Sequence, residues 1–198
     1  MIIRGGAVRL RGIVDDDLPQ LLIWRNSASF SEMCTFRGDN LCIDAFREEL
    51  AADFEHDRLC QFVIEVERSN GNVPVGTIFA YGLNELDGYC FFTTFVSEAY
   101  ASQGYGIHAA ALMTDYLFVA HRLFKIYMDV YEHNQASLAA MRRFGCHEEG
   151  RFRKQRLIAG TRYDVLRLAL YADGLESIRK FLKRRDLSSK RRTRRESN

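Results

Sequence analysis

The sequence predicts a single α/β (α+β) domain built on a mixed, mainly antiparallel sheet flanked by helices. Three observations lead there. The chain has 198 residues, 47% hydrophobic and 27% charged, which is the size and composition of one globular domain. Its two prolines, Pro19 and Pro74, leave no Pro-rich linker to divide it. Strand-like and helix-like apolar patterns follow one another as β-α-α-β-β-β-α-β-α-β-β, and the run of three strands excludes a purely alternating βαβ fold.

Residues 7–14 alternate apolar and polar side chains and read as the first strand. Asp15, Asp16 and Asp17 then supply caps and first-turn acids to a helix carrying Leu18, Leu21, Leu22 and Trp24. Residues 27–42 show no period and read as irregular. In 43–56, Phe46, Leu50 and Phe54 recur every four residues, a helical stripe. Residues 59–67 alternate again, the Ser69-Asn70-Gly71-Asn72 turn follows, and 73–82 return as the partner strand. The third strand, 88–97, is apolar enough to be covered on both faces. A helix rich in Ala, Leu and Met runs from Gly104 to about Ala120, a strand occupies 124–131, and a helix over 135–144 stops at Gly145. Two strands, 146–158 and 161–171, meet at Ala159-Gly160, and an amphipathic helix over about 173–185 closes the domain. The expected organisation is a domain over 1–186 and a basic, disordered tail over 187–198.

Charge is uneven. Residues 179–198 carry ten Lys/Arg against Asp186 and Glu196, whereas the rest holds 18 basic and 24 acidic side chains. Such a tail is suited to nucleic acid or an acidic surface. Five cysteines without C-x-x-C spacing read as reduced thiols of a cytoplasmic protein. Arg4 and Arg9 interrupt any signal-peptide pattern, and no apolar stretch reaches membrane-spanning length, so no membrane partner is expected. The five histidines are scattered and suggest no metal site.

The chemistry sits at Gln103-Gly104-Tyr105-Gly106, where a loop opens a helix. Glycines let the backbone approach an anion, and the first-turn N–H groups with the helix dipole favour a pyrophosphate. Gly104, Gly106 and Ala109 also fit the dinucleotide pattern G-x-G-x-x-A. That pattern follows directly on a first strand, whereas here three strands and residues 98–103 intervene.

Spaced signatures downstream agree in order. Ala101-Ser102-Gln103-Gly104-Tyr105-Gly106 is followed by Asn134, Ser137, Phe144-Gly145-Cys146, Glu149-Gly150 and Asp164, with Trp24-Arg25-Asn26 upstream. Over about residues 7–171 the sequence resembles the GNAT superfamily of acyl-CoA-dependent acetyltransferases. It is most similar to the branch holding ribosomal-protein, spermidine and amino-sugar N-acetyltransferases. The resemblance implies acetyl-CoA as cofactor, lying where two central strands splay apart, and no metal. It implies a pyrophosphate on the backbone of Gln103 to His108, Ile107 included, with Ala101 and Ser102 leading into that loop. Phe95 and Val96 would pair with the pantetheine arm and offer an N–H to the developing oxyanion. Asn134 and Ser137 would hold the arm, and Arg142 and Arg143 would reach the 3′-phosphate. Trp24, Arg25 and Glu32 would belong to the acceptor wall of residues 24–58, where Asp39 and Asp44 add negative charge for a cationic amine.

Two positions depart from the family pattern. Ala101 replaces the usual Arg or Gln, removing a side-chain contact with phosphate. Met141 stands where a tyrosine often protonates the leaving thiolate, which leaves Ser137, Tyr131 or water for that step. Glu132, His133, Glu65 and Glu67 are the candidate bases, since strand 88–97 contains no carboxylate. The reading is direct acetyl transfer to a primary amine of a small molecule such as an amino sugar or polyamine, by an enzyme expected to form a homodimer. A protein N-terminal acetyltransferase and a non-catalytic acyl-CoA sensor are the alternatives.

Overall fold

The computed structural model describes residues 1–34 and 40–196, with side chains described up to residue 186 outside the gap. Eight strands form one sheet: β1 (Ile2–Gly5), β2 (Val8–Gly12), β3 (Arg58–Arg68), β4 (Gly71–Asn84), β5 (Tyr89–Val96), β6 (Lys125–Tyr131), β7 (His147–Ile158) and β8 (Thr161–Tyr171). Their order is β1-β2-β3-β4-β5-β6-β8-β7, and every neighbouring pair is antiparallel except β5–β6. That one parallel pair needs a crossover, which helix α4 (Tyr105–His121) provides.

The remaining helices are α1 (Leu18–Arg25), α2 (Ala28–Met33), α3 (Ile43–His56), α5 (Gln135–Arg143) and α6 (Leu175–Glu196). Two elements differ from the sequence reading. β1 is a four-residue strand closed on β2 through Gly6, whose φ of +53° makes the tight turn. α2 lies in the segment read as irregular; Ser27 caps it by accepting from the Phe30 N–H at 3.2 Å. Backbone helix in α6 continues to Glu196, so the boundary expected at 186/187 falls inside a helix. No Gly or Pro interrupts 175–196, and Leu, Lys, Arg and Glu all favour helix. Asp39, one of the expected acceptor acids, lies outside the described residues.

The sheet separates two cores. On one face α4, α5 and α6 cover Ile64, Ile78, Cys90, Phe92, Ile126 and Leu168. α4 is apolar nearly all round because β2, β5 and α6 all pack against it. On the other face α1, α2 and α3 enclose Leu21, Trp24, Phe30, Phe46, Phe79 and Phe95. β5 is therefore covered on both faces only towards its end. At its start Tyr89 and Phe91 are half-buried and stack with Tyr81 and Tyr127 instead of a helix.

Candidate active site

β5 and β6 pair over three residues, Tyr89↔Lys125, Cys90↔Ile126 and Phe91↔Tyr127, and then part. β4 follows β5 to Val96, so from Phe92 onwards one edge of β5 has no strand partner. Gly76 lets β4 stay close to the end of β5: a Cβ there would stand 2.0 Å from the Phe95 carbonyl oxygen and 2.9 Å from Val96 Cα. Cys34, just after α2, reaches the open edge and donates weakly to the Thr94 carbonyl at 3.7 Å. The Thr94 hydroxyl is buried there with no hydrogen-bond partner among the described residues.

At the end of β5 the chain passes through Ala101 and Ser102 to Gly104, which caps α4 in the left-handed conformation at φ +81°. Gly106 sits hard against the strand, since a Cβ would meet Val96 Cγ2 at 3.3 Å. The N–H groups of Tyr105, Gly106 and Ile107 open the 17-residue helix without intrahelical acceptors, while the His108 N–H bonds the Gly104 carbonyl at 3.2 Å. An unpaired strand edge leading to an orphan set of N–H donors fits an amide-bearing arm that ends in a pyrophosphate.

The other predicted cofactor residues are placed differently from one another. Gln103 turns back to the Ala99 carbonyl at 3.5 Å, and the Tyr105 hydroxyl accepts from Arg68 at 2.8 Å. The His108 ring is buried against Gly5, Gly6 and Phe181; burial, and then Arg185, push its pKa down to about 4. Asn134 caps α5 by accepting from the Ser137 N–H at 3.1 Å, and its amide donates to Met33 Sδ at 3.5 Å, linking the start of α5 to α2. Arg142 and Arg143 occupy the exposed last turn of α5, with Arg142 4.0 Å from Glu148. Met141 points into the main core.

Across β5 from the parting, α1, α2 and α3 enclose a cavity of about 200 Å³. Arg25, Glu49, Asp53, Asp57 and Arg58 give it charge, and Phe30, Phe46, Phe79 and Tyr81 give it walls. Arg25 binds Glu49 through two contacts at 3.1–3.2 Å, and Arg58 binds Asp53 at 2.6 Å while lying 4.1 Å above the Phe79 ring. Cys34 and Thr93 also line the cavity, so its floor meets the open edge of β5. Of the predicted acceptor residues, Arg25 lines this space, Trp24 is buried behind it against Phe95 at 6.1 Å, and Glu32 and Asp44 are exposed away from it. Glu49, Asp53, Asp57 and Arg58 were not singled out from the sequence. The signal was the Phe46/Leu50 stripe, whose helical neighbours they are or follow.

Tyr131 ends β6 on the same side. Burial raises its pKa above the ordinary phenol value, and a nearby Cys34 adds to the rise. The Arg156 guanidinium lies 5.5 Å from its ring, and His133 stacks between Tyr131 and Tyr163. Of the other candidate bases, Glu132 and Glu65 are held by partners and Glu67 lies apart. Glu132 accepts from the Asp164 N–H at 2.8 Å and pairs with Arg151 at 3.2 Å. Glu65 is clamped by Arg9 and Arg11 under β2, and Glu67 is exposed near the far end of β3. Asp164 pins the irregular turn of β7 by accepting from the Lys154 N–H at 2.8 Å, which, with Arg151, lowers its pKa. Glu149 is the extra residue of a bulge in β7; bonds from Tyr171, Lys125 and Tyr127 hold its pKa down to about 2. Among the described residues no cluster of His, Cys, Asp and Glu could hold a metal, and no helix is long and apolar enough to cross a membrane.

No curated protein matches the sequence. Among solved structures, a spermidine N-acetyltransferase of Vibrio cholerae in complex with CoA and spermine superposes with a TM-score of 0.77 at 19% identity, over 85% of this chain and 98% of that one. A dodecameric structure of spermidine N-acetyltransferase from the same organism gives 0.70 at 20% identity, over 83% and 94%. A GNAT-family acetyltransferase of Bacillus anthracis gives 0.71 at 17% identity, over 87% and 99%. At these identities the likeness is one of fold. The sequence itself matches the acetyltransferase (GNAT) domain over residues 7–147, and the chain is a member of the GNAT acetyltransferase family.

Proposed function

We propose that the protein transfers acetyl from acetyl-CoA directly to a primary amine of a small cationic molecule. The observation that carries this reading is the meeting of two spaces at Cys34, Thr93 and Thr94. The parting of β5 and β6 lies on one side and the cavity under α1–α3 on the other. Bound acetyl-CoA would supply the thioester carbonyl at that junction. Tyr105, Gly106 and Ile107 N–H groups would hold its pyrophosphate, and the free edge from Phe92 to Val96 would receive the arm.

The cavity supports a small acceptor. Its volume is below the ~300–1,000 Å³ usual for drug-sized ligands. Three lining carboxylates face two arginines, so the acceptor side carries net negative charge suited to an ammonium group. The Vibrio cholerae relative binds spermine, which is consistent with such an acceptor. Tyr131 is the proton donor in this reading. It stands at the open end of β6, its phenol is protonated at neutral pH, and burial raises the pKa further. Met141 cannot do this, being an apolar side chain in the core.

The test is thiol release from acetyl-CoA across polyamines, amino sugars, amino acids and N-terminal peptides. Turnover with a small amine is expected. Turnover with peptides alone would overturn the small-molecule reading, and tight binding without release on any acceptor would replace the enzyme by a sensor.

A further inference from the structure

Two threonines stand on neighbouring strands, one register step apart: Thr77 opposite Phe95 and Thr94 opposite Ile78. The buried Thr77 hydroxyl donates to the Phe62 carbonyl at 3.0 Å and accepts from the Gln61 amide at 3.0 Å. Thr94 differs. The residue as a whole is half-buried, yet its hydroxyl oxygen is shut off from solvent and has no partner among the described residues. Buried hydroxyls in folded proteins are paired, and leaving one alone is costly, so an orphan marks a place where a water or a ligand belongs.

Its location favours a ligand. Thr94 lies in the stretch of β5 that has parted from β6. Side chains alternate along a strand, so Phe92, Thr94 and Val96 face α4, while Thr93 and Phe95 face the helices α1 to α3. On the α4 side, a Cβ at Gly106 would lie 3.3 Å from Val96 Cγ2 and 3.9 Å from the Thr94 methyl. The hydroxyl is on the same β-carbon as that methyl, at the corner where the open edge of β5 meets the first turn of α4. A chain running from the N–H groups of Tyr105 to Ile107 into the parting passes this corner. The neighbours Phe92, Val96 and Gly106 have no side-chain polar atom to offer, and the Cys34 thiol binds the Thr94 carbonyl, not the hydroxyl, at 3.7 Å. We propose that the Thr94 hydroxyl is a cofactor-binding group that hydrogen-bonds an amide of the acyl-CoA arm as the arm enters the parting. The proposal rests on the reading of that parting as the acetyl-CoA site. A hydroxyl can donate to the amide carbonyl or accept from the amide N–H, and holding the arm there fixes how far the thioester reaches along β5.

Equilibrium binding to the full chain tests it, with two probes: CoA, and adenosine 3′-phosphate 5′-diphosphate, which has the pyrophosphate and no arm. Thr94→Val nearly keeps the shape and removes the oxygen. It is expected to weaken CoA about fivefold to tenfold, the range of a neutral hydrogen bond, and to leave the armless nucleotide within about twofold. Thr94→Ser returns the oxygen and should recover most of the CoA affinity. Without ligand, Thr94→Val should melt at the same temperature or higher, because a methyl group replaces an unpaired hydroxyl. A lower melting temperature would make the hydroxyl a structural group and overturn the assignment. So would a CoA affinity of Thr94→Val within about twofold of the unaltered protein, the same margin set above. An equal loss for both probes would place the effect at the pyrophosphate, and a Thr94→Ser variant as weak as Thr94→Val would trace it to the methyl; either result also overturns the proposal. Failure of the unaltered protein to bind either probe would instead remove the cofactor reading, and this proposal with it.

Discussion

The two sides of β5 are built in different ways. On the proposed cofactor side the groups available are backbone: a strand edge from Phe92 to Val96 and the N–H groups that open α4. On the proposed acceptor side they are side chains from α1, α2, α3, β3, β4 and β5, brought together from residues 21 to 93. A backbone site needs a local conformation, and a local conformation needs particular residues such as Gly104. A side-chain site needs only that distant residues converge, so its members are free to vary without leaving a motif.

Substitutions can break this comparison or sharpen it. Gly76→Ala should have the largest effect, because the new Cβ would collide with the Phe95 carbonyl and deform both sides at once. We expect a loss of about 3 kcal/mol in urea unfolding together with loss of turnover. Tyr131→Phe acts at the junction alone. It should lower kcat about a hundredfold while leaving the CoA Kd unchanged, and retained kcat would assign the proton to another donor. In the unaltered protein the alkaline fall-off of kcat set by this donor should lie above the ordinary phenol range, because the pKa is raised and the phenol stays protonated to higher pH.

Glu49→Gln touches the acceptor side only. It should raise the acceptor KM about tenfold, with an unchanged CoA Kd. An equal loss in both constants would mean that the two sides are not separable. The smallest effect concerns His108 beneath the loop. Its folded pKa of about 4 lies below the usual 6.5, so the unfolded chain binds the proton more readily. Its contribution to stability is complete above pH 6.5 and falls by at most about 1.4 kcal/mol per pH unit as pH drops towards 4. His108→Gln should flatten the stability profile in that window. The Glu149 cluster, with a pKa near 2, should show its loss lower, below pH 4.5.

The same contrast explains what the sequence disclosed. The succession of strands and helices, the loop at Gly104 and the helix it opens were legible because each depends on a local pattern of glycine or apolar period. β1 was missed because four residues, one of them Arg4, are too few to show alternation; pairing with β2 makes it a strand. Glu65 looked available because alternation assigns a residue to a face but does not name its neighbours. Its neighbours are Arg9 and Arg11 on β2, more than fifty residues away. Glu32 and Asp44, expected in the acceptor wall, do not line the cavity for a similar reason. Glu32 and Asp44 are near the cavity in sequence, yet they face solvent, whereas Glu49 and Asp53 sit on the inner flank of α3.

Three residue pairs are all that fasten β5 to β6, and this gives the molecule a mechanical character. The eight-stranded sheet is two blocks, β1 to β5 and β6-β8-β7, joined along a short seam at one end of the gap. The rings of Tyr81, Phe91 and Tyr127 stack across that seam at 5.6 and 5.1 Å, with the Arg167 guanidinium 4.8 Å from Phe91. Tyr131 and Val96 lie at the free ends, like the tips of two jaws. The width at the tips is a lever-amplified copy of the packing at the seam, so the stiffness of a few aromatic rings far from the reacting atoms sets how tightly the jaws can be held.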